Sequence, residues 1–272
     1  MNFYIKTATE AAREAGKIQM AHYGKIAAAD IRKKAASDFL SFVDEQSEKI
    51  ILEVIKDSFP DHSILAEEGG VSGQQSDYQW IIDPLDGTTN YLKNIPVFAV
   101  SIALQKGNEL IAGVVFDPVH NDLYHAEKGK GAYLNNLPIK VSSTARLNES
   151  FISTGFPFKI KHILHDFCLA FEKIFQQCIG ARRLGAAAID LAYVASGRFD
   201  GFWEMGLKPW DVAAGALLVI EAGGEISDFW NNPSFLHSSF VMATNSKIHT
   251  ELGEIIREVF PFYKPILEGA QE

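Results

Sequence analysis

The sequence predicts a mixed α/β chain: an α+β half (1–145) tightly joined to an α/β half (146–272), close enough to form one structural unit. Three observations carry this. Two early segments, 3–23 and 43–58, repeat apolar side chains at helical spacing. Four short runs rich in β-branched and aromatic residues then follow one another, parted by turn-forming sequences, as an antiparallel meander would be. Beyond residue 150, strand-like and helix-like segments alternate, as in α/β units.

In chain order, Ala8, Ala11, Ala12, Ala15, Ile18 and Met20 mark the apolar stripe of the first helix, and Gly24 stops it. Lys33–Asp38 is expected to be a loop. Ile50, Ile51, Val54 and Ile55 mark a second helix that ends at Phe59-Pro60. Ser63–Ala66 is a strand delivering Glu67-Glu68 into Gly69-Gly70, and Val71–Asp77 reads as a surface loop. Trp80-Ile81-Ile82 is the end of a buried strand that should stop by Pro84, because proline cannot donate to a sheet ladder. Strands are expected at 97–104, 110–116, 123–126 and 132–134. The second half continues with a strand at 151–154, helices at 163–175 and 186–195, and a strand at 201–204. A helix at 210–222, strands at 225–227 and 240–243 and a last helix from 246 to about 259 complete it.

The net charge of −9 argues against broad electrostatic binding to nucleic acid or to an anionic membrane, and no apolar run reaches the roughly 20 residues a membrane helix needs. The N-terminus is charged and amphipathic, unlike a signal peptide. Cys168 and Cys178 are ten residues apart in a helical-looking segment, so two reduced thiols in a cytoplasmic protein are expected. His162 and His165 lack the pattern of a zinc protease, and neither a Gly-x-Ser-x-Gly elbow nor a Walker-type phosphate loop is present.

The stretch Asp83-Pro84-Leu85-Asp86-Gly87-Thr88-Thr89 holds the chemistry. It throws two carboxylates toward one point beside the free N–H groups of a helix start, where Gly87 lets backbone approach a ligand. Such a place suits a hard cation together with a phosphate, hence phosphoryl transfer; the same residues also serve as a polar strand-to-helix turn whose carboxylates cap N–H groups. Each further acid has a similar double reading. Glu67-Glu68 is a ligand at a strand end or a solvated turn, Asp211 a ligand or the cap of an apolar helix, and Asp44 a site residue or the cap of the second helix. Glu204 ends a strand seven residues before Asp211, and Arg182-Arg183-Leu184-Gly185-Ala186-Ala187 offers cations and a small-residue helix start.

Taken in order, Glu67-Glu68, Asp83-Pro84-Leu85-Asp86-Gly87-Thr88 and Trp210-Asp211-Val212-Ala213-Ala214-Gly215 resemble the inositol monophosphatase family. That family belongs to the lithium-sensitive, magnesium-dependent phosphatase superfamily that includes fructose-1,6-bisphosphatase. The resemblance runs from Lys33 to Gly224 at least and implies a layered α-β-α-β-α sandwich, usually a homodimer. It further implies two or three Mg²⁺ ions: one on Glu67, Asp83 and the Leu85 carbonyl, one on Asp83, Asp86 and Asp211, and a weaker third near Glu67 through water. Lys33-Lys34 through Asp44 resembles the family's lysine loop, with Asp44 bonded to Thr88 and Thr88 with Glu67 orienting the attacking water. Gly87 and Thr88 N–H groups are implied to hold phosphate, Glu204 to bind ring hydroxyls, and Gly185, Ala186 and Ala187 to form the ring wall, with Arg183 within reach. The implied activity is hydrolysis of inositol monophosphate, a small-molecule ester. The alternatives are the same chemistry on fructose 1,6-bisphosphate or 3′-phosphoadenosine 5′-phosphate, and a regulatory protein that retains the fold.

Overall fold

Helix α1 (Phe3–His22) starts where the Asn2 side chain accepts a hydrogen bond from Ile5 N at 2.9 Å, and its buried alanines face a sheet. The structure, a computed structural model, describes residues 2–26, 31–35, 38–158 and 160–261, without the side chains of 31–40. After α1 come the hairpin β1 (Ile31–Ala35) and β2 (Asp38–Ser41), helix α2 (Phe42–Ser58), and strands β3 (Ser63–Ala66), β4 (Gly70–Ser72) and β5 (Tyr78–Asp86). A short helix α3 (Thr88–Leu92) leads into β6 (Ala99–Lys106), β7 (Glu109–Asp117), β8 (Asp122–Glu127), β9 (Ala132–Leu134) and β10 (Leu137–Ile139). The second half runs β11 (Phe151–Thr154), α4 (Leu164–Phe175), β12 (Gly180–Arg182), α5 (Ala187–Ala195), β13 (Gly201–Met205) and α6 (Pro209–Glu221). It closes with β14 (Glu225–Ser227), α7 (Phe235–Ser238), β15 (Phe240–Thr244) and α8 (His249–Val259).

Strand pairing makes an eight-stranded sheet, β10-β9-β8-β7-β6-β5-β3-β4, and a five-stranded one, β12-β11-β13-β15-β14. In the large sheet only β3 and β5 run parallel; the rest is an antiparallel meander. Alternation along β5 shows how the layers form. Trp80 and Ile82 join the core made with α1 and α2, whereas Ile81 joins a core on the opposite face with α5 and α6. The far side of α5 and α6 meets Phe202, Val241 and Ala243 of the small sheet. Trp203, Phe240 and Met242 on that sheet's other face pack with Phe167 of α4 and with Leu252 and Ile256 of α8. The order is therefore α-β-α-β-α, the expected layering. The shared middle layer is alanine- and glycine-rich because it is squeezed from both sides: a Cβ on Gly113 would stand 3.0 Å from Ala214 O, and one on Gly215 2.5 Å from Leu191 Cβ.

Four expectations are corrected. Strand β5 does not end at Pro84 but continues to Asp86, since its proline sits in a β-bulge, where a missing N–H breaks no ladder bond. The Lys33–Asp38 segment is not a plain loop: 31–35 and 38–41 pair as antiparallel strands. Within Val71–Asp77, the first two residues belong to edge strand β4. Met20, expected on the apolar stripe of the first helix, is 40% exposed, off the face that carries Ala8, Ala11, Ala12 and Ala15. No helix among the described residues is long and apolar enough to cross a membrane.

One buried histidine ties stability to pH. His249, 4% exposed, has its ring nitrogens 2.9 Å from Ser227 Oγ and 3.0 Å from Thr244 Oγ1. Burial, and then the Arg257 charge, lower its pKa from 6.5 to about 4; Glu225 at 3.7 Å is half exposed and does not offset the burial. The folded protein therefore keeps this ring neutral while the unfolded chain protonates it. Its contribution is full above pH 6.5 and falls away as pH drops toward 4, by up to about 3 kcal/mol. Urea unfolding between those limits is expected to show a steeper pH dependence for the wild type than for His249→Asn.

Candidate active site

The central feature is the bulge in β5. Asp83 pairs with Ser101 and Asp86 with Ala99, so three steps on one strand oppose two on its partner. In a regular strand, residues three apart point to opposite faces; the extra residue returns Asp86 to the face of Asp83. That face is the one covered by α5 and α6, since Ala99 and Ala103 lie in their shared core. The bulge is fastened from the other side by α1. Gln19, fully buried, donates from Nε2 to Pro84 O at 2.7 Å, and its own carbonyl accepts from Tyr91 Oη at 2.8 Å.

Each acid on this face is aimed by a backbone N–H. Asp83 Oδ1 accepts from Leu85 N at 2.9 Å, Asp86 Oδ2 from Ala188 N at 2.7 Å, and Asp211 Oδ2 from Lys208 N at 2.7 Å. Asp86 thus caps α5 rather than the following helix, whose N-cap is Gly87 in left-handed conformation (φ +87°). A Cβ on Gly87 would stand 2.9 Å from Val97 O, so no larger residue fits. Asp211 sits in the first turn of α6 behind Pro209, which presets the helix start. Glu67 follows β3, its N–H donating to Ile82 O at 3.1 Å. Glu48, on α2 one turn from Asp44, accepts from Glu68 N at 2.9 Å and holds that turn in place.

These groups border one cavity of about 500 Å³. Glu67, Asp83, Leu85, Asp86, Asp211, Gly87 and Thr88 line it together with Arg183, Gly185, Ala187 and Glu204, the 185–187 segment lying against Asp86 and Gly87. Asp44 is not on the lining but directly behind it. Its Oδ1 accepts from Thr88 Oγ1 at 3.0 Å, and its Oδ2 accepts from Ser41 N at 2.9 Å and Ser41 Oγ at 2.6 Å. Burial raises the Asp44 pKa and these hydrogen bonds oppose it. Ala186 also lies off the lining, buried behind Gly87. Side chains of Lys33 and Lys34 fall outside the described residues.

Asp83 is 1% exposed, and burial together with Glu67, Asp86 and Asp211 pushes its pKa well above the carboxylate range. Four acids around one cavity repel one another, and among the described residues no three are drawn together closely enough to hold an ion as they stand. Their chemistry nonetheless fits a hard divalent cation. The donors are all oxygen, with no histidine or cysteine, and each aspartate is already oriented by a backbone donor. Glu67, Asp83, Asp86, Asp211 and the Leu85 carbonyl are the groups that would hold Mg²⁺.

The sequence reading missed the far wall. Phe156 and Phe158 line the cavity mouth, half and a third exposed, with the Arg183 guanidinium 5.4 Å from the Phe156 ring centre. Two aromatics beside Gly155, after a strand, were the available signal. Met205, Gly206 and Leu207 complete that side. Gly155 was silent in the sequence. Its Cα lies directly under the Glu204 carboxylate, so that a Cβ there would overlap Glu204 Cδ and both oxygens.

The inositol monophosphatase family model matches residues 1–260. Nus factor SuhB of Escherichia coli is 43% identical over 249 residues, spanning 91% of this chain and 93% of that protein. Among solved structures, the extragenic suppressor protein suhB from Bartonella henselae aligns with a TM-score of 0.91 at 37% identity, over 94% of this chain and 99% of that one. An inositol monophosphatase from Anabaena aligns with a TM-score of 0.83 at 39% identity, over 94% and 95%.

The Glu204 seat is open to direct test. Gly155→Ala is expected to fold with a loss of about 1–3 kcal/mol from overpacking and to expel the Glu204 carboxylate from its place. Thermal denaturation and a crystal structure of the variant check the two parts.

Proposed function

The chain belongs to the inositol monophosphatase family, and from that membership we propose that it is a Mg²⁺-dependent phosphomonoesterase hydrolysing inositol monophosphate to inositol and phosphate. The observation that carries this reading is the bulge that turns Asp83 and Asp86 to one face, where they line a single cavity together with Glu204. Bound Mg²⁺ supplies positive charge to the phosphoryl and leaving oxygens and makes water a nucleophile at neutral pH. Glu67, Asp83 and the Leu85 carbonyl would hold a first ion and Asp83, Asp86 and Asp211 a second, with a weaker third near Glu67.

The remaining work falls to the protein's own groups. The Thr88 hydroxyl, 3.0 Å from both Asp44 Oδ1 and Leu85 O, donates a hydrogen bond to Asp44, which leaves its lone pairs to accept from the attacking water, and Glu67 orients that water with it. Ser41 fixes Asp44 so that Thr88 cannot turn away. The N–H groups of Gly87 and Thr88 hold the phosphate. Glu204 accepts from neighbouring ring hydroxyls, and Ala187 and Gly185 leave room for the ring. Arg183 adds a cation at the mouth. No step requires a covalent phosphoenzyme.

A homodimer in a reducing, cytoplasmic setting belongs to the same reading. It is supported by the free thiols of Cys168 and Cys178 and by exposed Leu164, Leu169, Phe175 and Ile179 on and beside α4. The Escherichia coli relative is named a Nus factor, which favours a second reading: a protein that serves a macromolecular partner on the same fold. Undetectable turnover at saturating Mg²⁺ would favour it over hydrolysis.

Phosphate release from inositol 1-phosphate is expected to vanish with EDTA, to return with Mg²⁺, and to exceed release from fructose 1,6-bisphosphate and 3′-phosphoadenosine 5′-phosphate in parallel assays. Asp86→Asn keeps an oxygen to accept from Ala188 N, so it should melt within about 3 °C of the wild type while kcat falls roughly a hundredfold or more. Wild-type turnover in that variant would remove Asp86 from the site. Light scattering is expected to report a dimer that Phe175→Glu with Ile179→Glu dissociates.

A further inference from the structure

Behind the polyol wall the structure holds a polar group that the proposed chemistry leaves unused. Asp190, on α5 one turn beyond Ala187, is 1% exposed. Ser153 Oγ, fully buried on β11, is the hydroxyl near enough to favour the charged form of Asp190, although neither carboxyl oxygen closes a well-formed hydrogen bond with it or with any other described residue. Strand register brings the two to one place. Ser153 pairs with Phe202, whose side chain faces α5, so Ser153 and Glu204, two residues along β13, face α5 as well. Ile189, Leu191, Phe202, Val241 and Ala243 surround them with apolar surface. A carboxyl and a hydroxyl buried in such a face cost stability unless they serve each other or the site in front.

We propose that Asp190, together with Ser153, is a positioning residue for substrate recognition: it supports Glu204 from behind, over Gly155, in the orientation that receives the ring hydroxyls. The inference rests on the polyol reading of Glu204 above. Burial and then the Glu204 charge push the Asp190 pKa well above the carboxylate range, outweighing Ser153, which pulls the other way. Its protonated form is thereby favoured, and a carboxylic acid can donate a hydrogen bond where an ionised neighbour can only repel. Arg183 at the cavity mouth is too exposed to reverse this. Asp190 lies behind the cavity lining, and of the two acids that raise its pKa Glu204 acts more strongly than Asp86, so the role is assigned to the Glu204 side of the cavity.

Steady-state kinetics on inositol 1-phosphate with saturating Mg²⁺, and inhibition by inorganic phosphate, test this. Asp190→Ala is expected to raise KM roughly tenfold with kcat within about twofold, and to leave phosphate inhibition unchanged. Asp190→Asn, which keeps the shape and a donor, is expected to restore KM. Ser153→Ala carries the test if Asp190→Ala does not fold, with KM expected to rise at least about threefold. An unchanged KM, an equal loss of phosphate inhibition, or an Asp190→Asn variant as impaired as Asp190→Ala overturns the assignment. Wild-type protein that releases no phosphate fails the parent reading and this one with it; an active wild type with an indifferent Asp190→Ala fails this one alone.

Discussion

One inserted residue in β5 decides where the acids go. Without the bulge, Asp86 would point toward α1 and α2, into the Leu85, Tyr91 and Phe98 cluster, and Asp83 would face the middle layer alone. With it, both carboxylates meet the starts of α5 and α6. Each of those helices begins with unpaired N–H groups and a positive dipole end, so the repulsion among acids is partly offset before any cation arrives. Ala188 N and Lys208 N make the offset specific, because each takes one oxygen of one aspartate. The shape of the site thus depends on Gln19 holding Pro84 from the other side of the sheet, a contact between α1 and a strand that touches no substrate.

The middle layer explains why such a site can be rigid. Helices α5 and α6 are pressed between two sheets, with glycine or alanine wherever backbones approach closely. Their N-termini cannot shift without moving both sheets, so Asp86, Asp211 and Ala187 keep their spacing. The other wall is built differently. Glu204 comes from a strand of the small sheet and Phe156 and Phe158 from the loop after β11, with the loop aromatics partly exposed. On the proposed reading this is a stiff phosphate end and a more adaptable alcohol end, an arrangement in which related chains could keep their chemistry and change the ester they accept.

Much of this was legible in the sequence. Apolar periodicity placed nearly every long helix and strand, while Glu67, Asp83, Asp86 and Asp211, each legible alone as ligand or cap, were grouped only by the family resemblance; all four border the one cavity described. What failed has physical causes. The rule that proline ends a strand is blind to a bulge, where the absent N–H costs nothing. Short edge strands such as β4 and β12 carry too few residues to show alternation, and their partners are distant in the chain. Capping was misassigned for Asp86 because its N–H partner, Ala188, lies a hundred and two residues away. Gly155 and Asp190 gave no signal at all: one matters through a side chain it lacks, the other through a neighbour on a different strand.

Asp83 and Asp190 show how the same burial leads to opposite uses. Both are about 1% exposed and both stand near other acids, so ionising either in an empty pocket is unfavourable. Around Asp83 the acids are numerous and all border open cavity, which a cation can enter; on the proposed reading the charge is kept and neutralised by metal. Around Asp190 there are apolar side chains, the Ser153 hydroxyl and the Glu204 and Asp86 carboxylates, and the group does not border the cavity an ion could enter. The cheaper neutralisation there is a proton, which converts an acceptor into a donor. On the proposed reading, two carboxyl groups with equal exposure are fitted to different ends of one ester, and the difference lies in what surrounds each: other acids at an open cavity in one case, mostly hydrocarbon in the other.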